Sequence, residues 1–247
     1  VSRSARVRTA VLVLAVAAAG CASAPPDDRW QAWNRPVFRF NDHVDTYFLR
    51  PIARGWTFIT FEELRKSVAR FYINTRFPQR FVSSLGQGKG EMALEEVGRF
   101  IVNSTIGIGG LFDPATPLGF PRGDEDIGQM FGRWGIPPGP YWVIPLLGPS
   151  DPRDAVGMVA DSFLNPLTWF VPFSGSLDIV NRRAMADKEI EDAKKTSLDY
   201  YVFVRDAYVQ NRKAAVEDHE EGTTPGGGPP EDLYDLPEDS NSHAPSP

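Results

Sequence analysis

The chain has 247 residues, 23% of them charged, with 26 Lys and Arg against 32 Asp and Glu for a formal net charge of −6. One cysteine excludes an internal disulfide. An acidic balance gives no sign of the basic surface that nucleic acid requires.

The chain opens with a stretch that is not part of a fold. Arg3, Arg6 and Arg8 form a basic start, and Val11 to Ala19 is an apolar run. That is the layout of a secretory signal peptide, over residues 1–20, and the run is far below the ~20 residues of a spanning helix. Ala18-Ala19-Gly20-Cys21 looks like the bacterial lipobox, where the signal is cut before a cysteine that then carries lipid. Ala18 stands where leucine is usual. A lone exported thiol is otherwise a reactive liability, so Cys21 is the expected lipid anchor and residues 21–29 a lipidated tether. Ala22 in place of aspartate points to the outer membrane.

Residues 30–216 are the expected folded body. Trp30, Trp33, Val37, Phe40, Val44 and Tyr47 or Phe48 recur at helical spacing, which predicts an amphipathic helix with an aromatic face. Pro36 is expected to start or kink it. Thr60-Phe61-Glu62-Glu63 has the capping-box pattern and opens a second helix with Leu64, Val68, Phe71 and Tyr72 on its apolar face. A third helix is expected over Gln79–Leu85. A fourth covers Glu91 to about Ser104, with Leu94, Val97, Phe100 and Ile101 inward. Arg182 to Val216 reads as a charge-rich helix with Tyr200, Tyr201, Val204 and Tyr208 on one side. There is little alternation for a sheet, so the body is mainly α.

Between these helices lie three short apolar segments, Phe100–Phe112, Trp134–Leu147 and Phe163–Phe173. Each is broken by glycine or proline. Two readings are open. They are ordinary core with proline-rich turns, which composition alone favours, or they enter one leaflet of a membrane, half of a ~30 Å hydrocarbon core.

Residues 217–247 hold nine acids, six prolines and no Lys or Arg. Such a tail buries too little apolar surface to offset its ordering entropy, so it is expected to be disordered. Setting aside these nine acids and the three signal arginines leaves 23 basic and 23 acidic residues between Ala22 and Val216. The body is neutral, without the excess that nucleic acid calls for.

Catalytic patterns are missing. Gly107-Ile108-Gly109-Gly110-Leu111-Phe112 resembles the start of a dinucleotide loop, but Phe112 stands at the third glycine and no strand precedes it. There is no P-loop and no Gly-x-Ser-x-Gly elbow. His43 is the only histidine of the body, and with Asp42 and Asp45 it does not converge on one point of a helix; a Ser-His-Asp triad would have to use it, and a partly exposed helix histidine is the expectation. With the cysteine committed to lipid, a Cys/His zinc site is excluded. The Gly123–Asp126 and Asp151–Asp154 runs read as helix caps rather than cation sites. No cofactor, metal or catalytic residue is expected.

Read together, several segments resemble the MlaA/VacJ lipoprotein family of Gram-negative outer membranes. They are Trp30-Gln-Ala-Trp33-Asn34-Arg35, Phe38-Arg-Phe40-Asn41-Asp42, Arg50–Trp56, Arg99–Ala115, Asp124–Gly135, Gly139–Gly157 and Tyr201–Arg212, in family order. The resemblance implies a single helical, ring-like domain with short broken apolar segments embedded in one leaflet. It implies an amphipathic channel that removes mislocalised phospholipids from the outer leaflet and maintains lipid asymmetry. Trimeric porins and a soluble periplasmic lipid carrier are the implied partners, and no catalysis is implied. The implied place is the periplasmic face of the outer membrane, lipid-anchored. Gly107, Ile108, Gly109, Gly110, Leu111 and Phe112 are the expected channel segment, and Trp30, Trp33 and Phe40 the expected partner interface. The alternative is a structural lipoprotein that braces porins and moves no lipid.

Overall fold

The computed structural model describes residues 28–171 and 173–218. The expected signal peptide, the anchor Cys21, most of the tether and the tail beyond Asp218 lie outside the described residues.

The body is helical. Helix α1 (Gln31–Val44) runs through one turn of π-helix (Asp45–Leu49) into α2 (Arg50–Ile59). Pro36 sits inside α1, which neither begins nor ends there. Helices α3 (Glu62–Thr75), α4 (Phe77–Gly86) and α5 (Gly90–Thr105) follow, then α6 (Ile127–Arg133). Strands β1 (Trp142–Ile144) and β2 (Gly148–Ser150) form an antiparallel hairpin, with Trp142 opposite Ser150. The chain continues through α7 (Pro152–Leu164), α8 (Pro166–Phe170), α9 (Ser174–Met185), α10 (Asp187–Thr196) and α11 (Tyr200–Glu217).

Several boundaries follow from local chemistry. The Asp126 carboxylate accepts from the Gln129 amide at 2.8 Å and caps α6; Asp151 accepts from the Asp154 amide at 2.9 Å and caps α7. Both acidic runs are caps, as expected. His43 is an exposed helix residue, its Nδ1 2.6 Å from the Arg39 carbonyl. The capping box at Thr60 does not form. Thr60 ends α2 instead, its hydroxyl donating to the Trp56 carbonyl at 2.5 Å. Phe61 is the N-cap of α3 and contributes no side-chain bond. The helix expected over Arg182–Val216 is three helices, because Asp199 accepts from the Val202 amide at 3.2 Å and starts α11 anew.

What the fold buries is unusual. The apolar cluster is small: Val37 of α1, Tyr141 and Val143 at the hairpin, and Tyr201 and Tyr208 of α11. Phe38 adds ring contacts to Tyr200 and Tyr201, each 5.4 Å between centroids. A second apolar cluster joins Ala69 and Ile73 to Met185, and Ile127 and Met130 are also buried; much of the remaining interior is polar. Asp28, Asn34, Arg80, Glu96, Arg99 and Asn181 are all buried. Helix α5 shows the inversion in one element. Leu94 and Ile101, expected inward, are 71% and 55% exposed, and the buried positions are Ala93, Glu96, Arg99 and Asn103. Val97 and Phe100, also expected inward, are half-buried; the helical period holds, but the most buried face is polar, because Glu96 and Arg99 pair there with Arg80 and Asp113.

Directional bonds hold this interior, since a buried polar group is costly unless paired. The Arg80 Nε donates to Glu96 Oε2 at 2.7 Å, tying α4 to α5, while Phe77 stacks on Phe100 at 4.4 Å beside it. Asn34 reaches across to the hairpin. Its Nδ2 donates to the Tyr141 carbonyl at 3.0 Å, and its Oδ1 accepts from the Val143 amide at 3.0 Å. Two helical turns on, Asn41 does the same for the Ile144 carbonyl and the Leu146 amide. Helices α6 and α7 cross at a glycine pair, where a Cβ on Gly157 would lie 2.5 Å from the Gly128 nitrogen. Among the described residues, no helix is long and apolar enough to cross a membrane.

Candidate functional site

Two surfaces carry functional information. The first is the outside. Phe58, Phe170 and Phe173 are 91%, 82% and 90% exposed, and Tyr47, Phe48, Ile59, Phe61, Phe163 and Trp169 join them. The reading of the three apolar segments as ordinary core therefore holds only in part: Tyr141 and Val143 are core, but each segment also presents large apolar side chains to the exterior. Patches of this extent mark contact with a membrane or another protein.

Turn tips sharpen the point. Ile108, Leu146 and Phe173 all hold left-handed backbone, at φ of 53°, 66° and 63°. All three are exposed. A branched or bulky residue pays in strain there, and water-facing turns use glycine or asparagine instead. Leu146 and Phe173 were not singled out in the sequence. The available signal was an apolar residue beside proline at a turn, in Pro145-Leu146-Leu147-Gly148 and Pro172-Phe173-Ser174-Gly175.

The expected channel segment closes α5. The Gly110 amide donates to the Asn103 carbonyl at 2.8 Å, and the Gly109 amide to that of Ser104 at 3.0 Å. Asn74 of α3 donates from Nδ2 to Ser104 Oγ at 3.0 Å and to the Gly109 carbonyl at 3.3 Å. Gly107 and Gly110 are buried; Ile108, Gly109 and Phe112 are exposed. Below this turn sits Asp113, which accepts from Arg99 (2.8 Å), Asn103 (2.9 Å) and Thr116 Oγ1 (2.7 Å). Burial alone would raise its pKa; the hydrogen bonds from Thr116 and Asn103 and the Arg99 charge outweigh that and hold it well below the usual carboxylate range. The turn is thus an apolar loop pinned by a buried polar knot. It lies apart from both larger cavities described next.

The second surface is an open pocket, exposed along Ile136, Pro137, Pro138 and Val209 of its lining. A cavity of about 690 Å³ lies between the end of α6, the proline run and α11. Ile136, Pro137, Pro138, Pro140, Val209 and Val216 form its apolar wall, and Asp151, Arg153, Tyr208 and Arg212 its polar one. Arg29, Lys213 and Glu217 line its exposed margin. Tyr208 and Arg212 also line a second cavity of about 260 Å³, with Asp126, Asp154 and Asp161.

The shared wall is a closed ionic network. Arg212 donates to Asp126 at 2.6 Å and to Asp154 at 2.5 Å. The Tyr208 hydroxyl donates to Asp154 at 2.7 Å and Asp151 at 3.1 Å. Arg153 pairs with Asp154 at 2.9 Å. Burial pushes the Asp154 carboxyl up, but the Arg212 bond and charge bring it down to about 2. Asp161 makes no ion pair among the described residues and accepts from the Ile127 amide at 3.4 Å; burial and the nearby Asp126 charge outweigh that bond and the Arg212 charge and push it up to about 7. Among the described residues, no group of His, Cys, Asp and Glu has the arrangement of a metal site.

Trp30, the N-cap of α1, and Trp33 and Phe40 within it are about half exposed, on the same helical stripe as buried Val37.

Comparison with known proteins gives one consistent result. The family model described as MlaA lipoprotein matches residues 26–215. A protein of Rickettsia felis is 33% identical over 196 residues, covering 77% of this chain and 78% of its own. The Escherichia coli K12 protein named intermembrane phospholipid transport system lipoprotein MlaA is 30% identical over 204 residues, covering 77% of this chain and 81% of its own. A solved structure presented as "Structural basis for maintenance of bacterial outer membrane lipid asymmetry" superposes with a TM-score of 0.69 at 27% identity, covering 76% of this chain and 98% of that one.

Proposed function

The chain belongs to the MlaA lipoprotein family, and from that membership we propose that it moves phospholipid between membranes and so maintains outer-membrane lipid asymmetry. Relatives carry the name of an intermembrane phospholipid transport lipoprotein, and the matched structure concerns outer-membrane lipid asymmetry. The observation that carries the reading is the inverted body: aromatic and aliphatic side chains outside, charged and amide groups inside, no spanning helix among the described residues. A protein set into one leaflet meets acyl chains around its rim, and it must present polar groups wherever a lipid headgroup passes.

In this reading Cys21 carries the lipid anchor and the body faces the periplasm. The exposed Ile108 and Phe112 of the Gly107–Phe112 turn, with Leu111, meet acyl chains along the route of lipid entry. Trp30, Trp33 and Phe40 contact a trimeric porin, and aromatic anchors suit such an interface. Net movement needs a sink, which a soluble periplasmic carrier supplies by binding lipid more tightly than the membrane releases it. The work done is transfer, with no covalent step.

The test is extraction of labelled phospholipid from proteoliposomes holding the protein, with and without acceptor carrier. Carrier-dependent loss of label supports transfer. Tight porin association with no label movement would establish the bracing role instead.

A further inference from the structure

The 690 Å³ cavity has charges of two kinds. Those on its inner wall are already satisfied: Arg153 by Asp154, and Arg212 by Asp126 and Asp154. Two cations at the margin, Arg29 and Lys213, are not. Arg29 and Lys213 are exposed, and neither makes an ion pair with another described residue. Glu217 is the one carboxylate beside them on the cavity lining outside the wall network. An anionic group therefore finds no unpaired charge on the inner wall, where the buried Tyr141 hydroxyl has no hydrogen-bond partner among the described residues, and two cations at the mouth with no ion pair among the described residues.

We propose that Arg29 and Lys213 bind the phosphate diester of the transported phospholipid at the mouth of this cavity. The inference rests on the phospholipid-transfer reading and names the chemistry by which the cargo is recognised. The apolar wall of Ile136, Pro138, Val209 and Val216 receives the glycerol end and the first carbons of the acyl chains. The size agrees: 690 Å³ is within the ~300–1,000 Å³ of pockets for small ligands. It accommodates the polar end and upper chain of a lipid. Arginine offers a planar fork of donors to phosphate and lysine a mobile point charge. Both stand in water, so the contact is screened by salt and reversible, as a transfer site requires.

The experiment measures binding of soluble lipids to the detergent-purified full chain. The probes are dihexanoyl phosphatidylglycerol, dihexanoyl phosphatidylcholine, dihexanoylglycerol and inorganic phosphate. Arg29→Gln with Lys213→Gln is expected to weaken both phospholipids about tenfold or more and to leave dihexanoylglycerol unchanged. Arg29→Lys should restore most of the loss seen with Arg29→Gln. Wild-type affinity for the phospholipids should fall with added salt. Equal binding of phospholipids by wild type and double variant overturns the assignment. So does a parallel loss of dihexanoylglycerol, which would mean a damaged cavity, and so does inorganic phosphate binding as tightly as the lipids. If the wild type neither binds phospholipid nor transfers it from proteoliposomes, the transfer reading itself fails. Transfer by the wild type with a double variant that binds and transfers equally well removes only the phosphate site.

Discussion

Gly109 and Gly110 are adjacent, both have positive φ, and the structure predicts different consequences for substituting them. At Gly109 (φ 71°) an added Cβ meets nothing within 4 Å. The cost is then the left-handed backbone alone, about 1–2 kcal/mol. At Gly110 (φ 93°) the Cβ would lie 2.4 Å from the Asn74 Cβ. That residue must move, and it holds Ser104 Oγ and the Gly109 carbonyl. Overpacking adds about 1–3 kcal/mol, and each lost hydrogen bond about 0.5–1.5. Gly110→Ala should therefore lose roughly 4 kcal/mol or more, and Gly109→Leu only about 1–2. For a domain of this size 1 kcal/mol moves Tm by about 2–4 °C. Melting in detergent should show Gly109→Leu a few degrees below wild type and Gly110→Ala lower by ten degrees or more. Gly109→Leu also puts apolar bulk on an exposed turn. If lipid passes there, its transfer rate should fall while the protein stays folded. Equal losses of Tm in the two variants would refute the steric argument; normal transfer by a folded Gly109→Leu would remove this turn from the lipid route.

Three further outcomes follow from the buried charges and the anchor. Glu96→Gln keeps the shape of a fully buried side chain but leaves Arg80 without its counter-charge at 2.7 Å; breaking such a pair costs about 3–5 kcal/mol, readable as a Tm shift well beyond that of an exposed control such as Glu91→Gln. Asp161 is held near 7 by burial and Asp126, above its unfolded value, so its ionisation works against the fold as pH rises from about 4 through 7. Asp161→Asn should melt above wild type at pH 7.5 and approach it at pH 4.5, and a gap that widens toward acid would show the sign to be wrong. Cys21→Ser should leave an uncut precursor without acylation, and a mature wild-type N-terminus with no acyl mass on Cys21 would exclude the anchor.

Much of the local structure was legible in the residues. Asp126 and Asp151 announced helix starts because a carboxylate before an apolar run satisfies free amides whatever the environment. The aromatic period of α1 and the period of α5 were equally readable. Facing was not. Leu94 and Ile101 look inward by the rule for proteins in water, and that rule inverts when the surroundings are hydrocarbon. Thr60 shows a smaller failure: its pattern fits a cap, but the preceding helix ends on the same residue and claims its hydroxyl. The cavity was out of reach, because Arg29, Ile136 and Lys213 meet only through the packing of α6, the hairpin and α11.

The inverted interior ties stability to function. Against lipid, burying leucine yields little, since the surroundings are as apolar as the core, and helices are held instead by packing and by bonds that have no substitute in hydrocarbon. Arg183 illustrates this by joining Asp45, Asp187 and Glu191 at 2.6, 2.7 and 3.5 Å, which fastens the π turn to α9 and α10. The wall formed by Arg153, Tyr208 and Arg212 has the same character, and it is also the polar face of the cavity. Removing one of its members leaves a buried charge unpaired and is expected to unfold the region before it informs on lipid. Arg29 and Lys213 are the positions where the two roles separate. They line the same cavity yet carry no structural ion pair among the described residues. Neutralising them should therefore change lipid affinity at nearly constant Tm. A drop in Tm as large as that of Glu96→Gln would place them in the structural network after all.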